Sequence, residues 1–436
     1  MRAWQVYKTS SRDIRLCWVS AFLRLASYGL TNQILTLFLT EIGISEKETG
    51  WFMSLTLVGD VCISYLLTWH ADAWGRRRIL TYGAVMMVLS GMVFSWTENF
   101  YVLLIFAIFG VISPSSDEVG PFKSIEESMM AHLTPHNRRP EIYAIHSFVS
   151  ISGSALGSIF CGWFVHILKN NTMLDTDLKC YKAVFGLYTI LALGKLISIL
   201  LLSEAAELDA HQHEQLDTQQ IMDETVPLVD VGSKSVSKMA PETVTVMLKL
   251  LVIFMLDSFG YGFMTSAWTV FYYSVVFGLG PAALGVLFFV AKIMMALSSL
   301  PSSTIARSFG PVKATLLVQV PSAIFFILIP FAESHLSLSV LFFNLYNLTT
   351  AMDVIPRQIL LTNIVKPSDL TRVMGIVNIG KTFARCIGPI FTGLLADRGL
   401  LWCCYLISSV FVLLADSVLA FLFLDIDTHV MKTTNL

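Results

Sequence analysis

Arg24 and Asp257 stand inside apolar stretches of the chain, and each precedes a Tyr-Gly pair by the same spacing, Tyr28-Gly29 and Tyr261-Gly262. Glu118 and Asp353 form a second matched pair, each three residues before a proline, and Arg357 lies one helical turn beyond Asp353. An ionised group at bilayer depth costs at least a few kcal/mol, so such residues must face a partner, a cavity or a solute. The chemistry open to them is ion pairing, solute binding and, for a carboxylate, proton carriage. Arg24 and Asp257 either pair with each other or each hold a charged end of a solute. Glu118 or Asp353 either carries a proton or pairs with a base such as Arg357. Further ionisable residues at comparable places are Asp60, Asp117, Lys123, Glu126, Glu127, His146, Lys292, Lys381, Arg385 and Asp416. Glu126 and Glu127 are expected at a rim, His146 as a packing residue, and Lys195 and Asp416 on helices that face lipid or the linker side, where charges snorkel.

Bond-breaking chemistry has no comparable support. The chain shows no strained serine elbow, no HExxH and no phosphate loop followed by Lys-Ser/Thr, so neither an enzyme nor an ATP-driven pump is expected. Its seven cysteines include no CxxC, and none lies at metal-ligand spacing from a histidine, so no metal or cofactor is expected. With 29 basic and 31 acidic residues the net charge is −2, which leaves nucleic-acid binding without a basic surface.

The elements that must hold these charges follow from composition. Of 436 residues 55% are hydrophobic and 14% charged, with a mean hydropathy of +0.68. A soluble domain carries about 25% charged residues, and a spanning helix needs about 20 apolar ones. Apolar runs of that length fall near 16–39, 50–70, 79–96, 100–119, 142–168 and 182–202, then near 246–273, 283–304, 314–331, 337–362, 373–395 and 400–424. The fold expected is an all-α membrane protein of twelve spans in two six-helix bundles, 1–203 and 244–436. Between them 204–243 holds nine acidic residues and two lysines, and reads as a flexible cytoplasmic linker.

Placing the amino terminus in the cytoplasm puts sixteen Lys/Arg residues of the short loops and tails inside and five outside, so both termini and the linker are expected there. The first span then doubles as an uncleaved insertion signal, and the sequon Asn170-Asn171-Thr172 falls outside as a glycosylation site. A plasma membrane or a vacuole-type organelle membrane is the expected location.

The halves repeat at nearly constant offset. Arg24-x-x-x-Tyr28-Gly29 matches Asp257-x-x-x-Tyr261-Gly262; Gly43, Gly50 and Gly75 match Gly278, Gly285 and Gly310; Gly157 and Gly162 match Gly388 and Gly393. Duplicated halves with a solute site between them are a recurring transporter design.

The segment Asp72-Ala73-Trp74-Gly75-Arg76-Arg77-Arg78, after the second span, resembles the loop G-x-x-x-D-R-x-G-R-R of the major facilitator superfamily. Thr68 stands at its first glycine and Ala73 at its first arginine. The glycine series Gly153, Gly157 and Gly162 in the fifth span is similar to that family's, and the segments 113–122 and 353–358 resemble a largely uncharacterised fungal and bacterial branch of it. The resemblance implies that spans 1, 4, 7 and 10 line a central cavity, with Arg24, Tyr28, Glu118, Asp257, Tyr261, Asp353 and Arg357 as its candidate residues. It also implies that Asp72, Gly75, Arg76 and Arg77 form a gating latch, the other reading of these arginines being positive-inside anchoring alone. The function expected is a secondary transporter of a small polar or charged solute, with proton coupling as a weaker expectation. The alternative is a transporter-like receptor that binds a solute without moving it. Partners are then the solute, a proton and the lipid bilayer, and a monomer is expected.

Overall fold

At bilayer depth every backbone N–H and C=O must be satisfied within the protein, and helices do this segment by segment. The computed structural model describes residues 6, 8–69, 74–110, 112, 121–134, 139–170, 174, 176–204, 241–365, 367–425 and 427, and there is no strand among the described residues. The first half begins with α1 (Arg12–Asn32) and α2 (Leu35–Glu41), which together make the first crossing. It continues through α3 (Glu46–Trp69), α4 (Arg76–Trp96), α5 (Phe100–Phe109), α6 (Pro121–His132), α7 (Arg139–Asn170) and α8 (Asp177–Leu200). The second half opens with α9 (Pro241–Phe263) and α10 (Ser266–Phe277), followed by α11 (Pro281–Phe309) and α12 (Pro311–Phe331). Then α13 (Leu336–Thr350) passes through a 3-10 turn at Ala351–Asp353 into α14 (Val354–Ile364), and α15 (Pro367–Ala396) and α16 (Leu401–Phe423) complete it.

Among the described residues, eight segments are long and apolar enough to cross a bilayer. The four expected crossings outside that set are the first, fourth, tenth and eleventh, and each has a physical reason. α1 carries Arg12, Asp13, Arg15 and Arg24, and α15 carries Lys381 and Arg385. The tenth is divided by its 3-10 turn, and α5 and α6 flank residues 113–120, which lie outside the described residues. Of these four, the first, fourth and tenth are among the helices expected at a central cavity, and the eleventh is not. The described helices are consistent with twelve crossings.

Turn chemistry fixes several helix starts. Ser45 and Glu48 form a reciprocal capping box ahead of α3, with N···O separations of 3.0 and 3.3 Å. Asn99 caps α5 by accepting from the Tyr101 and Val102 amides. The α12 start is capped from afar: Asp427, beyond α16, accepts the Val312 and Lys313 amides at 2.8 Å each.

Within the first half α1 packs on α7 and α8, and α4 on α8; within the second, α9 packs on α15 and α16, and α12 on α13 and α16. One buried cluster draws on Ile14–Leu202, with Phe38, Phe94 and Phe185 meeting at centroid separations of 6.0, 5.1 and 4.8 Å. Two further clusters draw on the second half, joined by Met53 from the first.

The halves meet where α3 crosses α15 and where α7 crosses α11. Glycine permits both approaches. A methyl group on Gly50 would sit 2.5 Å from the Pro389 carbonyl oxygen, and one on Gly393 2.5 Å from that of Glu46. At the other crossing a methyl on Gly162 would sit 2.5 Å from the Pro281 oxygen, and one on Gly285 2.6 Å from that of Ser158. Gly50 matches Gly285 and Gly162 matches Gly393 in the repeat, so the pseudo-two-fold exchanges one crossing for the other. Together with α2 against α10, where the Thr36 hydroxyl donates to the Ala267 carbonyl at 3.3 Å, these contacts close one end of the molecule.

Candidate solute site: two charge clusters and one cavity

Each half gathers a cluster of buried charges of its own. Arg24 on α1 donates from Nη2 to Glu126 Oε2 on α6 at 2.9 Å, and the Ser20 hydroxyl donates to Glu126 Oε1 at 3.1 Å. Lys195 Nζ, from α8, lies 3.9 Å from Glu126 Oε1 and 3.5 Å from the centre of the Phe122 ring. Glu126 and Lys195 are both fully buried. This corrects three expectations. Arg24 meets Glu126 and not Asp257; Glu126 is no rim residue, because α6 carries the chain inward beyond Pro121; and Lys195 points into the bundle, where a carboxylate and an aromatic face receive it.

The second cluster lies in the other half. Arg357 on α14 holds Asp257 of α9 in a two-pronged bond, Nη1 to Oδ2 at 2.6 Å and Nη2 to Oδ1 at 3.0 Å. Such paired geometry is the strongest arrangement of these groups. Its Nε faces Asp353 one turn earlier, and the Gln319 amide nitrogen donates to Asp353 Oδ2 at 2.9 Å. Asp416 of α16 is buried and close enough to feel the charges of Arg357, Asp257 and Asp353. It, too, faces the bundle interior and not lipid.

Beside this cluster opens a cavity of about 620 Å³. Asp257, Tyr261, Asp353 and Arg357 line it. The Tyr261 hydroxyl shares a hydrogen bond of 3.0 Å with Thr350. Among the described residues the wall comes mostly from the second half, with Lys123 of α6 contributed by the first. It runs from Thr269 and Phe288 near the closed end toward Leu361 and Met374, near the end where α15 begins. Arg24 is outside this wall. Tyr28 is as well: its hydroxyl donates along its own helix to Asn32 Oδ1 at 3.2 Å, close to Ser266, which does line the cavity. Glu118 lies outside the described residues.

The Major Facilitator Superfamily matches residues 17–352 and, overlapping these, 250–435. The chain belongs to the major facilitator superfamily. It is 61% identical over 438 residues, 98% of each chain, to the uncharacterised membrane protein YJR124C of Saccharomyces cerevisiae. Among solved folds it is similar to a D-xylose-proton symporter, with a TM-score of 0.70 at 16% identity over 94% of this chain and 96% of that one. The human organic anion transporter MFSD10 shares the fold with a TM-score of 0.58 at 18% identity, over 94% and 99% of the two chains.

In that family frame the loop after the second span acquires a place. Gly75 takes φ +93° ahead of α4, and its repeat partner Gly310 takes +84° ahead of α12. Arg76 is buried, and Arg77 donates from Nη2 to the Leu200 carbonyl at the end of α8 at 2.8 Å. Asp72 lies outside the described residues. Asn170 ends α7, exposed, with its amide 2.9 Å from His166 Nε2.

Four further cavity residues are visible in the sequence as intramembrane charges without being singled out: Lys123, Lys292, Lys381 and Arg385. The spacing of Lys381 and Arg385, one turn apart on a helix whose other face is apolar, was the signal for the last two. Gln319 and Phe254 carried no sequence signal, being an amide and a ring in apolar runs.

Proposed function

We propose that this membrane protein is a secondary transporter that moves a small polar or charged solute by alternating access. The cavity carries this reading. It is about 620 Å³, reaches the Arg357–Asp257–Asp353 cluster, and is closed at one end by crossings that seat two helix pairs without side chains between them. Rigid halves that touch at such crossings can rock about the site and close the other end instead. We take the halves as 1–203 and 244–436, joined by a cytoplasmic linker at 204–243, with both termini cytoplasmic and the chain a monomer. The cavity then faces the cytoplasm in this state. Lysis of the linker by protease from the cytosolic side only, and a glycan on Asn170, are the outcomes this orientation requires.

In the cluster, Arg357 holds the two carboxylates apart from the solute until binding or protonation releases one of them. Asp353 is the better proton carrier of the two, since Asp257 receives both prongs of the guanidinium. Sugar and organic-anion carriers share the fold, so the fold by itself does not select the solute. Uptake into proteoliposomes, driven by a solute or proton gradient without nucleotide, tests the proposal. Saturable binding with no flux in either direction would make the protein a receptor.

A further inference from the structure

We propose that the closed end of the cavity is an aromatic subsite, and that the solute is an organic molecule seating an aryl group there with its polar head toward Asp257 and Arg357. The inference rests on the transporter reading for what becomes of that solute, but not for whether it binds. Four rings of the wall gather toward the closed end: Phe288 of α11, Phe326 of α12, and Phe343 and Tyr346 of α13. They meet in pairs, Phe288 with Phe343 at a centroid separation of 5.5 Å and Phe326 with Tyr346 at 4.3 Å. Phe288 stands one turn beyond Gly285, whose approach to the Ser158 carbonyl belongs to the closing crossing. Met264, Thr265 and Thr269 share that end. Charged groups follow farther along the wall, from Lys292, one turn beyond Phe288, to Asp257, Asp353 and Arg357. Hydroxyls lie between: Tyr261 bonds Thr350 at 3.0 Å, and the Tyr346 hydroxyl lies against the same Thr350 side chain.

A second row of rings backs the first. Phe343 packs on Tyr273 at 5.6 Å and Phe326 on Tyr405 at 4.8 Å, and both tyrosines are fully buried. The front rings are thereby held in orientation before a solute arrives, which spares the cost of ordering them on binding. Within their pairs they are tilted by 59° and 32°, so the cup offers both ring faces and ring edges. An aryl group meets these in stacked or edge-on geometry, whereas a saturated ring finds the same apolar area without the complementary quadrupole. Tyr346 and Arg357 belong to one crossing and lie about 16 Å apart along it at the rise of a helix. Side chains leaning in from both shorten that span, which fits an aryl group joined to its head by a short chain.

Matched probes test the inference on the full purified chain: 4-phenylbutyrate against 4-cyclohexylbutyrate, 4-phenylbutylamine against 4-cyclohexylbutylamine, and the two corresponding alcohols. The saturated twin is the more apolar, so partition into detergent or lipid favours it, and a preference for the aryl twin reports the site. The readout is slowed thiol labelling of Thr350→Cys, between the rings and the charges, the wild type accounting for native thiols such as the exposed Cys62. Asn378→Cys, on the α15 wall, serves if the first variant does not fold. For at least one head group the aryl twin should protect at a concentration at least about 3-fold below that of its saturated partner. Tyr346→Leu and Phe288→Leu, on separate helices, should each bring that ratio to about 1 while the saturated twin changes by less than about 2-fold. Twins of equal strength, protection by none of the probes, or an aryl preference that survives in either variant would overturn the aromatic subsite. Protection by an aryl twin with no flux of it in proteoliposomes would overturn the transporter reading and leave the subsite standing.

Discussion

The two halves answer the same structural problem with opposite charges. In the first, a cation on α1 meets an anion on α6, with a second cation from α8: Arg24, Glu126 and Lys195. In the second, an anion on α9 meets a cation on α14, with a second anion from α16 behind it: Asp257, Arg357 and Asp416. The helices correspond under the repeat, and for these three residues the signs are reversed. What separates the clusters is the cavity. In the first, Glu126 and Lys195 are fully buried beside Phe122, whereas the second forms a cavity wall. A sealed cluster can only brace its bundle, while an open one can exchange a protein partner for a solute. α6 touches both, with Phe122 and Glu126 in the first cluster and Lys123 at the cavity.

That difference can be broken by substitution. The largest effect is expected from Glu126→Gln, which leaves Arg24 and Lys195 buried without their shared carboxylate. Removing one partner of a buried pair typically costs about 3–5 kcal/mol. Folded yield and thermal midpoint should fall sharply, and the further change Lys195→Met should recover part of the loss. Arg357→Gln should act differently, because water in the cavity can solvate the carboxylates it abandons. Its thermal midpoint should stay near the wild type, while solute uptake falls at least about 30-fold, the loss expected when a buried, bonded charge partner is truncated. Equal loss of stability in the two variants would erase the distinction.

A smaller effect sharpens the account of the closed end. Gly393→Leu places a side chain where the Glu46 carbonyl now sits. Overpacking of this kind costs about 1–3 kcal/mol, and here it should be relieved by parting the halves rather than by unfolding either. Labelling of Thr36→Cys, now bonded to Ala267, should rise while each bundle keeps its helix content. The least effect is expected from Arg77→Gln, which removes one exposed bond to Leu200 and should alter the thermal midpoint by less than about 1 kcal/mol equivalent. A marked slowing of transport in that variant, with stability unchanged, would favour a latch over an anchor.

Much of this design could be read from the chain. Four of the repeat glycines, Gly50, Gly162, Gly285 and Gly393, are contacts between the halves, because a residue that must be small at a two-fold-related crossing recurs at both copies. For Asp257, Tyr261, Asp353 and Arg357 the sequence signal is charge or a tyrosine hydroxyl in otherwise apolar runs, and a place at a cavity is what the family resemblance implies for them. Glu126 was misread for a reason of chain path. Pro121 looked like the end of a span, whereas α6 begins there and carries the carboxylate inward. Lys195 was misread because a lysine five residues from a helix end can snorkel as easily as it can bury. Hydropathy does not distinguish those directions; only the presence of Glu126 and Phe122 on a neighbouring helix does. Partner choice across the halves was equally hidden, since the repeat relates Arg24 to Asp257 without bringing them together.

The most direct test compares water access to the two clusters. Thr350→Cys, beside Tyr261 on the cavity wall, and Ser20→Cys, beside Glu126, are exposed in folded protein to a small hydrophilic thiol reagent. The account predicts modification of Thr350→Cys and protection of Ser20→Cys until the protein unfolds. Equal modification of both, or reaction at Ser20→Cys alone, would contradict it.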